Sequence, residues 1–253
     1  MASANNGNVE KKPEDVFPLF FRRPRPLNAQ TDEGKSVALL PDFGFARTTN
    51  SMILGGGEFA AAMRSYPIVF ATGAEPAAVA ILGFKDSENL FVSADGKWRE
   101  DVYVPAYVRR YPFILLQNRG TDQLVLCIDE EAGLLKDEGD RILFKDGAAT
   151  PFAQEILQFC QETHQQYLAT SEFVRELDAK GLLIEREARL ANRDGGQALL
   201  GGFKVVDEAK FNALPDEVFL EWRRRGWIGL VYAHFLSMSN WKHLGDLALA
   251  TAG

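Results

Sequence analysis

This sequence predicts an α+β fold: two αββ units form a mainly antiparallel or mixed sheet, which packs with one long helix and a helical C-terminal region. Three observations carry that prediction. The phrase Arg-x-Tyr-Pro followed by a β-forming apolar run occurs twice, as Arg64–Pro67 and as Arg109–Pro112. Each run is followed, across a short turn, by a second apolar run, which is the pattern of an antiparallel hairpin. Beyond residue 150 the apolar period changes from two to threes and fours, so the second half is helix-rich.

The elements follow in chain order. Residues 1–16 are polar and are expected to be flexible, and 17–253 to form a single domain that would divide, if at all, near 145–150. Prolines 18, 24 and 26 forbid a regular helix in "FPLFFRRPRPLN". It reads as an extended arm held by its phenylalanines, or as a Pro-rich ligand for a partner. "SVALLPDFGFART" (36–48) reads as a strand and a turn. "GEFAAAMRS" (57–65) is a helix ended by Tyr66-Pro67, since a residue before proline is pushed out of the α region. "IVFATG" and "PAAVAILGF" (76–84) are then strands. The second unit repeats this order: a helix in "WREDVYVPAYVRR" (98–110), a break at Tyr111-Pro112, and a strand "FILLQN". A turn "RGTD" and a strand "QLVLCID" (123–129) complete it. Arg64 and Arg109 fall where the last turn of a helix favours a cation.

A charged, Gly-punctuated connection covers 129–144. Thr150 is then a suitable N-cap, Pro151 a natural first helical residue and Gly181 a stop. Between them Phe152, Ile156, Phe159, Cys160, Thr163, Tyr167, Val174 and Leu177 share one helix face, predicting a helix of about 28 residues. "LLIEREARL" and "ALLGGFKVVD" (198–207) read as strands about a "DGG" turn (194–196), and the glycine pair permits a bulge. "EAKFNAL", "PDEVFLEWRRRG" (215–226) and the apolar "WIGLVYAHFLSMSNW" (227–241) read as helices.

Composition narrows the function classes. Apolar residues make up 46%, charged residues 25%, and 18 are Phe, enough for a sizeable core. The formal net charge of −7 disfavours nucleic acid, whose binding rests on cationic neutralisation of phosphates. No apolar leader and no run long enough to span a membrane is seen, so a cytoplasmic location is expected. Cys127 and Cys160, far apart in apolar settings, read as reduced core thiols.

The search for chemistry gives few candidates. The three histidines and two cysteines show no metal-ligand spacing, so neither a metal nor another cofactor is expected. The three glycines at 55–57 precede a helix, and their amides could hold an anion, but a plain turn accounts for them as well. In "YAHFLSMSN" His234 and Ser237 sit at i, i+3 on one helix side, a spacing that suits either a nucleophile and base or a core hydrogen bond.

The segments "YVPAYVRRYPF" at 103–113, "GGF" with "VDEAKFNALPDE" at 201–217, "LVYAHFLSMSNWKHL" at 230–244 and the earlier "SYPIVF" together resemble the SapC family of bacterial proteins, over about residues 17–248. The resemblance implies a SapC-like domain and an association with bacterial surface layers and serum resistance. It brings no catalytic residues to this chain.

Two functions of different class follow. The first is a noncatalytic peptide- or protein-binding adaptor, using Arg64, Tyr66, Arg109, Arg110 and Tyr111 as contact residues, with homo-oligomerisation left open. The second is a metal-independent enzyme of hydrolase or transferase type, built on His234 and Ser237. A deep pocket at His234 would mark the enzyme; a shallow aromatic groove or an open sheet edge would mark the binder.

Overall fold

The computed structural model describes residues 17–118, 123–191 and 197–251. The expected flexible N-terminus and the turns at 119–122 and 194–196 lie outside the described residues. The first half contains β1 (Pro24–Pro26), β2 (Ser36–Val37), β3 (Ser51–Leu54), α1 (Phe59–Ala62), β4 (Ile68–Ala71), β5 (Ala77–Ile81), α2 (Ala106–Arg109), β6 (Phe113–Gln117) and β7 (Leu124–Asp129). Short strands β8 (Leu135–Lys136), β9 (Phe144–Lys145) and β10 (Ala148–Ala149) lead to α3 (Pro151–Ala179). The hairpin β11 (Leu183–Ala191) and β12 (Gln197–Val206) follows, then α4 (Glu208–Asn212), α5 (Asp216–Arg224), α6 (Trp227–Ser237) and α7 (Asn240–Thr251). The class is α+β, as expected.

Both predicted units exist: a short helix, then Arg-x-Tyr-Pro, then an antiparallel pair, β4 with β5 and β6 with β7. They do not share one sheet, and here the expectation is corrected. The first pair lies inside a five-stranded antiparallel sheet of order β11-β12-β4-β5-β3, while the second belongs to a three-stranded sheet of order β1-β7-β6. The reason is edge occupancy. β12 takes the free side of β4 and β3 takes that of β5, so the first hairpin has no free side left to pair with the second. That hairpin recruits the N-terminal arm instead, with Arg25 opposite Ile128.

α3 begins on Thr150, whose hydroxyl accepts from the Ala153 amide at 3.3 Å. Its 29 residues span about 43 Å at 1.5 Å per residue, which lets one helix serve two cores. Ala153 and Cys160 pack with Phe113, Leu115 and Ile128 of the second unit. Phe173, Val174 and Leu177 pack with Phe70, Trp222 and Val231 in the larger core. The Gly201–Gly202 pair forms the expected bulge. Arg186 pairs with Phe203 and Ala188 with Leu200, so both glycines oppose Glu187, and Gly202 adopts φ +79°.

Several expected elements come out shorter, and the helix expected over 57–65 is α-helical only at Phe59–Ala62. Helix 98–110 is reduced to α2, because Pro105 occupies its N-cap and residues before it cannot extend the turn through the proline ring. The strand expected from residue 36 ends at Val37, four residues before Pro41. The apolar stretch 227–241 is two helices, broken at Met238–Ser239. There the Asn240 side chain turns back to donate to the carbonyls of Met63 and Tyr66. No helix among the described residues is long and apolar enough to cross a membrane.

Candidate functional site

The two Tyr-Pro tyrosines have different surroundings. Tyr66 is fully buried, with its ring 4.7 Å from that of Phe91. Its hydroxyl donates to the Tyr103 carbonyl and accepts from Trp98 Nε1 at 3.2 Å. Burial pushes this phenol far above its ordinary pKa. Tyr111 is half-buried, stacked on Phe45 at 4.3 Å, and its hydroxyl donates to Asp129 at 3.0 Å. Asp129, itself buried, also accepts from the amides of Arg22 and Arg23. Tyr111 therefore works through Asp129 to hold the N-terminal arm. The arm reads as a packed strap: Phe20 sits edge-on to Phe45 and Tyr107, and Phe21 to Tyr111. Arg25 completes the fastening with ion pairs to buried Asp32 and to Glu130. Burial alone would raise the Asp32 pKa; the hydrogen bonds from Arg25 and Asn28 outweigh it and hold the carboxyl below the usual range.

The same strap covers Arg110. Tyr107 and Arg110 stand at i, i+3 around α2 and so fall on one side of it. The Arg110 guanidinium lies 4.0 Å from the centre of the Tyr107 ring, 5.8 Å from Phe21 and 5.9 Å from Tyr167 of α3. Arg110 is only 8% exposed. Among the described residues it takes part in no ion pair, and its buried Nε has no hydrogen-bond partner. The Tyr167 hydroxyl is also buried without one, and burial drives its pKa far upward. Each cation–π contact recovers about 0.5–2 kcal/mol, whereas an unpaired buried charge costs several. The site is left short of a hydrogen-bond acceptor.

Arg109 forms the exposed rim. It donates to the Val104 carbonyl at 3.0 Å and the Tyr103 hydroxyl at 2.9 Å, and it lies 5.1 Å from the centre of the Phe159 ring. Tyr103 in turn donates to Glu58 at 3.0 Å. Tyr103 thus joins the two units, through its carbonyl to Tyr66 and its hydroxyl to Arg109. Arg64 stands apart, exposed on the surface of the first unit. Of the five expected contact residues, Arg110 and Tyr111 meet the strap, Arg109 lies beside them against Tyr103 and Phe159, Tyr66 belongs to the core behind, and Arg64 is not brought in. Tyr107, Tyr167 and Phe21 were not singled out from the sequence as site residues. The Tyr107–Arg110 spacing was the available signal.

The glycine loop before α1 has no amide left for an anion. Gly55 donates to Glu58 at 2.7 Å, Gly56 to Thr170 at 2.7 Å and Gly57 to Gln166 at 3.1 Å. The two cysteines are buried free thiols whose pKa burial pushes up to about 11.

His234 and Ser237 are both buried, and each is engaged by backbone. Ser237 Oγ donates to the His234 carbonyl at 2.6 Å and accepts from the Ile68 amide at 3.0 Å, rather than meeting the imidazole. His234 Nε2 accepts from the Val206 amide at 3.1 Å, which fixes the proton on Nδ1, 2.7 Å from the Ile68 carbonyl. Lys204 pairs with Phe70 across β12 and β4, so two residues further along that register Val206 would stand opposite Ile68. The imidazole stands in that place and bridges the two strands where a direct ladder bond would run. Both ring nitrogens are occupied, and burial lowers the His234 pKa to about 4 against the opposing bond to Ile68. The pair is a clasp between α6, β4 and β12, without a nitrogen facing a substrate.

No curated protein and no solved structure matches the chain. The family model SapC matches residues 27–244, a span that begins just past β1 and takes in both Tyr-Pro units, α3, the β11–β12 hairpin and the His234 clasp. With most of its length covered by that match, the chain belongs to the SapC family.

Proposed function

We propose that this protein is a noncatalytic peptide- or protein-binding adaptor that engages an acidic group of its partner at the strap, through Arg110 with Arg109 at the rim. The observation that supports this reading above all is the state of Arg110: a cation more than nine-tenths buried among aromatic rings, with an unpartnered Nε and no carboxylate paired to it among the described residues. Charged groups in such settings are ordinarily paired, and a partner carboxylate would give charge-assisted bonds stronger than neutral ones. Aromatic residues and arginine are also the types that carry most binding energy at protein interfaces. The link to bacterial cell-surface biology that the family resemblance implies is part of the same proposal.

The test is fluorescence anisotropy with a panel of labelled peptides. Each carries either free acidic side chains or their amide counterparts. The acidic members should bind the wild-type protein more tightly than the amides. Arg110→Met, which keeps the apolar stem, should remove that preference with at least a tenfold loss of affinity, equal to about 1.4 kcal/mol. Equal binding of acidic and amide peptides, or an Arg110→Met variant that binds like wild type, would refute the proposal.

A further inference from the structure

A different surface, the outer edge of β11, carries an inference independent of Arg110. β11 is the terminal strand of the five-stranded sheet, nine residues long and without proline, and its outer side faces no other strand among the described residues. Proteins usually blunt so long an edge, because its unpaired amides and carbonyls are a template for another strand. Here Glu185, Arg186, Glu187 and Arg189 are exposed, while Ile184, Ala188 and Leu190 are half-buried. The alternation places Glu185, Glu187 and Arg189 on the outer face. Arg186, Ala188 and Leu190 lie on the face of a groove of about 400 Å³ completed by Phe203, Val205 and Trp241.

The order of these charges selects one way for two copies of β11 to pair. Two identical antiparallel strands related by a twofold axis normal to the sheet place one residue opposite itself at the axis. Centring on Glu185, Glu187, Arg186 or Arg189 sets a like-charge pair there, and like charges directly opposite destabilise a sheet. Centring on Ala188 sets two small side chains at the axis. In that register Glu187 of each copy faces the partner's Arg189, twice, and each Arg186 lays its apolar stem opposite the partner's Leu190. Within one chain Glu187 and Arg189 already form a 3.1 Å ion pair, so both side chains are held over the same face.

We infer that β11 is a self-association edge: two copies pair antiparallel about Ala188, fusing two five-stranded sheets into one of ten strands, with reciprocal Glu187–Arg189 contacts setting the register. The pairs are exposed, so their role is selection of register and partner more than strength of binding.

Sedimentation equilibrium over a concentration series tests this, with circular dichroism to verify that each variant is folded. Wild-type protein should show a monomer–dimer equilibrium. Glu187→Arg and Arg189→Glu each turn two attractive contacts into two repulsive ones, and each should raise the dissociation constant at least tenfold. The first variant then carries two cations at positions 187 and 189 and the second two anions there. An equimolar mixture of the two should therefore associate as a heterodimer with near wild-type affinity, which general damage to the hairpin would not produce. Wild-type protein that stays monomeric at millimolar concentration overturns the inference. So do single variants that dimerise like wild type, or a mixture no more associated than its components.

Discussion

Acidification should weaken the fold through His234 in particular. The imidazole is a neutral bridge: it donates to Ile68 and accepts from Val206. A proton on Nε2 would turn the acceptor into a donor aimed at the Val206 N–H. It would also place a charge beside Phe70, whose ring centre is 4.9 Å away. The folded pKa is lowered from 6.5 to about 4, chiefly by burial. The unfolded chain therefore binds the proton first, and the stability is present above pH 6.5 and is lost as pH falls toward 4. The full shift corresponds to about 3 kcal/mol, of which about 2 kcal/mol is already lost at pH 5. Urea unfolding from pH 8 to pH 5 measures this, with His234→Asn as the reference. Asparagine keeps a donor for Ile68, leaves Val206 without its acceptor, and does not titrate. The variant should be less stable than wild type at pH 8 by about 1–3 kcal/mol. The gap should shrink by about 2 kcal/mol on going to pH 5, since titrating carboxylates are common to both proteins. Parallel stability profiles over that range would show that the neutral imidazole is not what the clasp depends on.

Three further outcomes are expected. Tyr66→Ala should cost about 3–5 kcal/mol in urea unfolding, and Tyr111→Ala distinctly less because its ring is only half-buried; equal costs would contradict the different surroundings of the two tyrosines. Thr150→Ala should lower stability by about 1 kcal/mol through loss of the α3 cap, and a neutral effect would mean that packing alone fixes the start of that helix. Cell fractionation should recover the protein with the cytoplasm, the location we propose for it, and recovery mainly at the outer surface would refute that proposal.

What could be read from the sequence was what local rules control. Thr150, Pro151 and Gly181 bound α3 because capping and proline geometry are decided within a few residues. The Gly201–Gly202 bulge was legible for the same reason: a strand tolerates two adjacent glycines most readily where it bends. The repeated Arg-x-Tyr-Pro phrase likewise leads from a short helix to a strand at both places, although the Tyr111-Pro112 bond is cis and the Tyr66-Pro67 bond is not. What it could not give was which sheet each hairpin joins. That depends on β12, more than 120 residues after β4, arriving to occupy an edge. The same limit separates the two tyrosines. Tyr66 is sealed by Trp98 and Tyr103 from its own half of the chain, whereas Tyr111 is paired with an aspartate that also collects the N-terminal strap. It separates the candidates for function too. The i, i+3 spacing that suggested a nucleophile and base in His234 and Ser237 is real. The strands that meet α6 use both side chains as backbone partners. The i, i+3 spacing of Tyr107 and Arg110 is no more distinctive as text. Yet α3 and the strap close over it without supplying a carboxylate. In each case the pattern states which side chains share a face, and the partner brought from far along the chain decides whether that face is satisfied within the fold or keeps a buried polar atom unpaired.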